Sequence, residues 1–126
     1  MPDDDASMFE LSEQYYNAGR MEEALQMIQQ AANLAPENKW YQIRLGIFYR
    51  NLEQYDDFIN LYENLTKKYP DDLEMLSDLI DAYLVTEQYD KALAKMDLLE
   101  AQVGQNELIT EHRLSILKHQ GKNKNL

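Results

Sequence analysis

The sequence predicts an all-α fold: three helix–turn–helix repeats followed by one C-terminal helix. The first observation behind this is a 34-residue period, in which landmarks of the stretch from Ile43 to Tyr69 recur on either side. Leu45 has counterparts in Leu11 and Leu79, Tyr49 in Tyr15 and Tyr83, and Phe58 in Ala24 and Ala92. The second is a duplicated turn, Glu53-Gln54-Tyr55-Asp56 returning as Glu87-Gln88-Tyr89-Asp90. The third is composition: only three prolines and four glycines interrupt the chain, while good helix formers are plentiful. Paired helices at this period build a solenoid, in which each unit buries its apolar face only against its neighbours.

Taken in order, residues 1–5 read as a disordered acidic lead-in, with Asp4 or Asp5 able to cap the first helix through a side-chain oxygen. From Ala6 to Ala18, Met8, Leu11 and Tyr15 fall at helical spacing. Gly19-Arg20 is the turn. Met21 to Leu34 is the second helix, with Ala24, Ile28 and Ala31 on one stripe, and Pro36 closes the unit. Asn38–Leu52 and Gln54–Lys68 repeat the pair, and Pro70-Asp71-Asp72 ends one helix and caps the next. A third pair runs over 72–85 and 88–103. After Gly104 comes the lone helix, 106–120, with Gly121 in phase with Gly19 and a tail at 122–126. The repeats thus span about 5–38, 39–72 and 73–106, within a domain of residues 6–121.

Composition narrows the function. With no cysteine there is neither a disulfide framework nor a thiolate metal site. A net charge of −11 opposes phosphate backbones and anionic lipid, so neither nucleic acid nor membrane insertion is expected. No apolar run approaches the roughly 20 residues that span a bilayer. The acidic start is unlike a secretory signal. That excludes a signal in this chain, though not in a longer parent.

These landmarks resemble the tetratricopeptide repeat (TPR), with its large apolar residue, Leu-Gly, Tyr, Gly, Ala, an aromatic, Ala and Pro. Unit one offers Met8, Leu11-Ser12, Tyr15, Gly19, Ala24, Ile28, Ala31 and Pro36. Unit two offers Leu45-Gly46, Tyr49, Tyr62 and Pro70, and departs at Glu53, Phe58 and Leu65. Unit three offers Leu76, Leu79, Tyr83, Ala92, Met96 and Leu99, with Glu87 for Gly and Gly104 for Pro. The resemblance implies a right-handed superhelix. Phe58, large at a small position, is expected to distort its hairpin or to find space at Gly46. The segment from Met96 to Gly104, with the helix after it, also resembles longer bacterial TPR proteins, which suggests an excerpt of a larger chain.

The resemblance also implies a concave groove, lined by the first helix of each unit, that holds a peptide or protein segment. Its positions fall here on Phe9, Glu13, Tyr16 and Asn17, then on Trp40, Ile43, Arg44, Ile47, Arg50 and Asn51. Unit three supplies Glu74, Ser77, Asp78, Asp81 and Leu84, and the last helix His112, Ser115, Lys118 and His119. Chaperone-binding members clamp a C-terminal carboxylate with lysine, asparagine and arginine; the matching positions are Phe9, Glu13, Arg44, Glu74 and Asp78. Only one is basic, so that clamp is excluded. The expected partner has apolar anchors and Lys or Arg, since apolar burial gives affinity and charge gives orientation. Against this stands a plainer reading, with Trp40 and Tyr41 filling the seam between units and the acids an ordinary solvated face.

Ser7 and Gln14 stand where unit two has Tyr41 and Phe48, which makes the N-terminal edge polar. At the other end Leu114 and Leu117 lack the second helix that covers their counterparts, so self-association through helix 106–120, or continuation into further chain, is expected. The alternative function is a structural spacer within a longer TPR protein. An enzyme is not expected, and no cofactor is called for. His112 and His119 lie about 10.5 Å apart along a helix axis, too far to share a zinc. No phosphate-cradling Gly-rich loop, calcium loop or activated nucleophile is present.

Overall fold

A computed structural model of the chain describes residues 4–104 and 107–124, all of whose regular structure is helical. The elements are α1 (Asp5–Asn17), α2 (Met21–Leu34), α3 (Lys39–Asn51), α4 (Tyr55–Lys68), α5 (Leu73–Val85), α6 (Tyr89–Val103) and α7 (Glu107–Lys124). Two compact units form, Met1–Leu61 and Tyr62–Leu126, the division falling within α4. None of the described helices is long and apolar enough to cross a membrane.

The period is first visible in the helix starts. Asp4, Asn38 and Asp72 stand one period apart, and each accepts a backbone N–H three residues on, from Ser7, Tyr41 and Met75 at 2.6, 3.2 and 3.0 Å. A side-chain oxygen there satisfies a donor that the helix itself leaves orphaned. The Ser7 N–H holds the Asp4 carboxyl below its ordinary pKa. The first helix therefore starts at Asp5, one residue into the expected lead-in.

The turns inside the hairpins repeat as closely. The N–H groups of Arg20, Gln54 and Gln88 each donate to the carbonyl of Tyr15, Tyr49 or Tyr83 at 2.8 Å. Those of Gly19, Glu53 and Glu87 donate to Tyr16, Arg50 and Leu84 at 3.0, 2.9 and 3.1 Å. This pair of bonds is the Schellman motif, whose penultimate residue is left-handed. Gly19 adopts φ +76° at no steric cost, whereas Glu53 and Glu87 are forced to φ +57° and +60°. Glu53→Gly and Glu87→Gly are each expected to stabilise by about 0.5–1 kcal/mol, the strain relieved less the entropy glycine adds to the unfolded chain. Gly19→Ala should do the reverse. A Cβ there meets nothing within 4 Å, so the loss seen in thermal melts is backbone strain less the entropy alanine removes from the unfolded chain, with no clash added.

In the first unit α1 packs on α2 and α2 on α3. Ala24, Ala31 and Ala32 allow close approach, and Ile28, Leu25, Leu45, Tyr41 and Phe48 complete the core. Ser12, fully buried at the small position, donates its hydroxyl to the Phe9 carbonyl at 2.5 Å. Tyr41 and Phe48 stack on Phe9 and Tyr16, with centroids 5.2 and 5.0 Å apart, while their counterparts Ser7 and Gln14 stay at the polar edge. Phe58 is fully buried, Gly46 is buried in α3, and both α3 and α4 run uninterrupted. The distortion expected at Phe58 takes no form of a helix break.

In the second unit α5 packs on α6 and α6 on α7, around Leu76, Leu79, Ile80, Tyr83, Ala92 and Met96. Gly104, at φ +80°, ends α6 where proline ends the earlier units. Ile109 and Ile116 of α7 are buried. Arg113, one turn from each, bonds Glu100 and Asp97 of α6 at 2.7 and 2.8 Å. The helix does not stop at Gln120 as the spacing predicts but runs through Gly121 to Lys124. Glycine permits a left-handed turn without imposing one; at Gly19 the turn is held by α2 packing back on α1.

Candidate functional site

The face expected to dock a partner falls within the two units, and the side chains behave differently in each. In the first unit α1 brings Phe9, Glu13, Tyr16 and Asn17, and α3 brings Trp40, Ile43, Arg44, Ile47, Arg50 and Asn51. Five of these ten are tied to one another. Arg44 donates to Glu13 at 2.7 Å, and its guanidinium carbon lies 5.1, 5.4 and 5.8 Å from the ring centres of Phe48, Tyr16 and Trp40. Its Nε is buried with no hydrogen-bond partner, so ring faces take the place of an acceptor there. The Asn51 amide donates to the Tyr16 hydroxyl at 3.0 Å, and Arg50 covers the Phe58 ring at 5.1 Å.

The two aromatics of the seam part company. Tyr41 is buried, with its hydroxyl donating to Asp5 at 3.0 Å, and it fills the space between α1 and α3. Trp40 does not: it is 52% exposed. Burial first, then the bond to Asp5, raises the Tyr41 phenol above its ordinary pKa. Ile43 and Ile47 are half-buried and Asn17 is exposed.

In the second unit α5 carries Glu74, Asp78, Asp81 and Leu84; Glu74 and Asp81 are exposed, Asp78 and Leu84 half-buried. The acids fall on one stripe of the helix. Two cavities open beside it. One, of about 240 Å3, is lined by Ser77, Ile80, Asp81, Met96, Leu99, Ile109 and His112. The other, of about 350 Å3, is lined by Leu84, Tyr89, His112, Ser115 and Ile116. His112 thus borders both, with Ser77 and Asp81 on the first and Leu84 and Ser115 on the second. The His119 side chain lies outside the described residues. Lys118 is exposed and lines neither cavity.

Met96 and Leu99 enter from α6, which the repeat pattern assigns to packing alone. No residue spacing signals them as a lining, because the cavity is the space left among three helices. Arg113 also goes unforeseen; its spacing from Ile109 and Ile116, on the buried stripe of α7, was the available signal. Among the described residues, no group of three or more His, Cys, Asp or Glu is placed to hold a metal ion.

The model of a family described as Psidin, N-terminal TPR repeats region, matches residues 14–110. Among solved structures, MamA AMB-1 is similar with a TM-score of 0.78 at 16% identity, covering 97% of this chain and 67% of its own. MamA 41-end from Desulfovibrio magneticus RS-1 has a TM-score of 0.68 at 22% identity, over 81% of this chain and 58% of its own. The first TPR of Spaghetti (RPAP3), bound to the HSP90 peptide SRMEEVD, has a TM-score of 0.70 at 13% identity, over 93% of each chain. No curated protein matches the chain.

Proposed function

The chain belongs to the tetratricopeptide-repeat family described as Psidin, N-terminal TPR repeats region, and from that premise we propose that it is an interaction module. It binds a peptide or protein segment on its first-helix faces. Trp40 carries the proposal: a half-exposed tryptophan beside Ile43 and Ile47, on a face whose Arg44 is already paired with Glu13. Tryptophan is the residue most enriched where interfaces concentrate their binding energy. The partner carries apolar anchors and Lys or Arg, which suit the exposed Glu74 and Asp81 and a net charge of −11. The acidic peptide held by the Spaghetti domain is not carried over, because Glu13 already neutralises Arg44. No catalytic step, cofactor or nucleic acid belongs to this reading.

Trp40 is the sole tryptophan, so its fluorescence reports docking directly. Peptides that combine leucine with lysine should shift its emission saturably. Ile43→Asp and Asp78→Lys should each weaken binding about tenfold, equivalent to roughly 1.4 kcal/mol. Affinity untouched by both changes would refute the assignment, and no binding by any peptide would favour the spacer. A second reading, self-association through α7, is favoured by the exposure of Leu114 and Leu117, 60% and 47%. Sedimentation at rising concentration tests it: Leu114→Glu should abolish any dimer, and a monomer throughout removes the reading.

A further inference from the structure

We propose that the cavity among α5, α6 and α7 is an anchor pocket for one apolar side chain, carried by a segment with lysine or arginine beside that anchor. The inference rests on the docking function above and narrows it to one place and one residue pattern. The floor is hydrocarbon: Ile80, Met96 and Ile109 are only 4%, 2% and 7% exposed, yet they border about 240 Å3 of unfilled space. A cavity of about 150 Å3 lined by such residues accommodates benzene, so a leucine, isoleucine, methionine or phenylalanine side chain fits here. Water gains little by staying, since a stable buried water needs two to four polar partners and the floor supplies none.

The mouth supplies the second half of the pattern. Ser77 and Asp81 of α5 and His112 of α7 line the same cavity, and Asp81 is exposed. Glu74 extends the negative stripe of α5 away from the rim, and its side chain too is exposed. A cation flanking the anchor meets opposite charge on entry, and a flanking carboxylate meets like charge. The pocket therefore sets both the size of the anchor and the sign of its neighbours.

The test uses the full chain with carbon-13-labelled isoleucine and methionine methyl groups. The probes are three amidated five-residue peptides: leucine between lysines, alanine between lysines, and leucine between glutamates. The leucine–lysine peptide should shift the Met96 and Ile109 methyls saturably, and the other two should bind at least tenfold more weakly. Asp81→Lys, a change at an exposed position, should lower affinity for the lysine peptide and raise it for the glutamate peptide. Ser77→Trp, filling the mouth, should abolish the Met96 shift. Equal binding of all three peptides would overturn the proposal. So would shifts confined to Ile43 and Ile47, which would leave the broader docking function standing, or no shift anywhere, which would remove both. Met96 shifts that grow with protein concentration alone would assign the pocket to a second copy of the chain and overturn it as well.

Discussion

Replacing Phe58 with alanine is expected to destabilise the chain by about 3–5 kcal/mol, the usual cost of emptying a buried phenylalanine site. The repeat register argues the opposite. Its counterparts one period away are Ala24 and Ala92, so Phe58→Ala looks like a return to the common pattern. Packing decides between the two. Phe58 is 0% exposed, and the Arg50 guanidinium lies 5.1 Å from its ring centre. The surrounding helices are set to a phenyl ring, and alanine would leave a void and an arginine without its aromatic partner. Urea unfolding measures the loss as a lower midpoint at constant slope. An unchanged or higher midpoint would show that the hairpin collapses onto the smaller residue.

The second large effect is at high pH. Tyr83 is 1% exposed, and its hydroxyl donates to the Glu63 carboxylate at 2.5 Å. Burial first, and then that bond, hold its phenol far above the ordinary value, which is about 10. The folded chain therefore keeps a proton that the unfolded chain releases. Stability from this source is complete below about pH 10 and drains as pH rises beyond it. The decline approaches about 1.4 kcal/mol per pH unit, the slope for one proton, and because Glu63 is only half-buried, screening by water shortens the pH range over which it runs. Tyr83→Phe should cost about 1–2 kcal/mol at neutral pH, the worth of a hydrogen bond to a charged group. It should also flatten that alkaline decline. A variant whose stability falls above pH 10 as steeply as the parent's would disprove the assignment. Tyr49, one period earlier, makes the corresponding contact with Gln29, at 3.1 Å, and offers a neutral control.

The positions of the candidate surface came from the TPR resemblance, and helical phase says only which of those side chains share a face. Glu13, Tyr16 and Trp40 do come together around Arg44 on α1 and α3, while Phe9 stacks on Tyr41. Their state was not legible. Whether Arg44 is offered to a partner or held by Glu13 depends on a distance across two helices, and no spacing within one helix reports it. Trp40 and Tyr41 are neighbours of similar character, yet one is half exposed and the other buried. A helix turns about 100° per residue, and that rotation alone separates seam from surface.

The sequence by itself determined where helices begin and which residues can turn the chain. Caps at Asp4, Asn38 and Asp72 and the bonds of the turns at Gly19, Glu53 and Glu87 close within a few residues, while the helical Gly121 shows that a turn also needs a helix packing back on it. It determined the Leu, Tyr and Ala stripes of the core for the same reason, because side-chain direction follows from position along a helix. Tertiary structure alone decided the room that Phe58 occupies, the partners of Arg44 and Arg113, and the cavity beneath Asp81 and His112. Each of these is a volume or a distance set jointly by helices far apart in the chain, and packing settles such quantities only once every neighbour is in place.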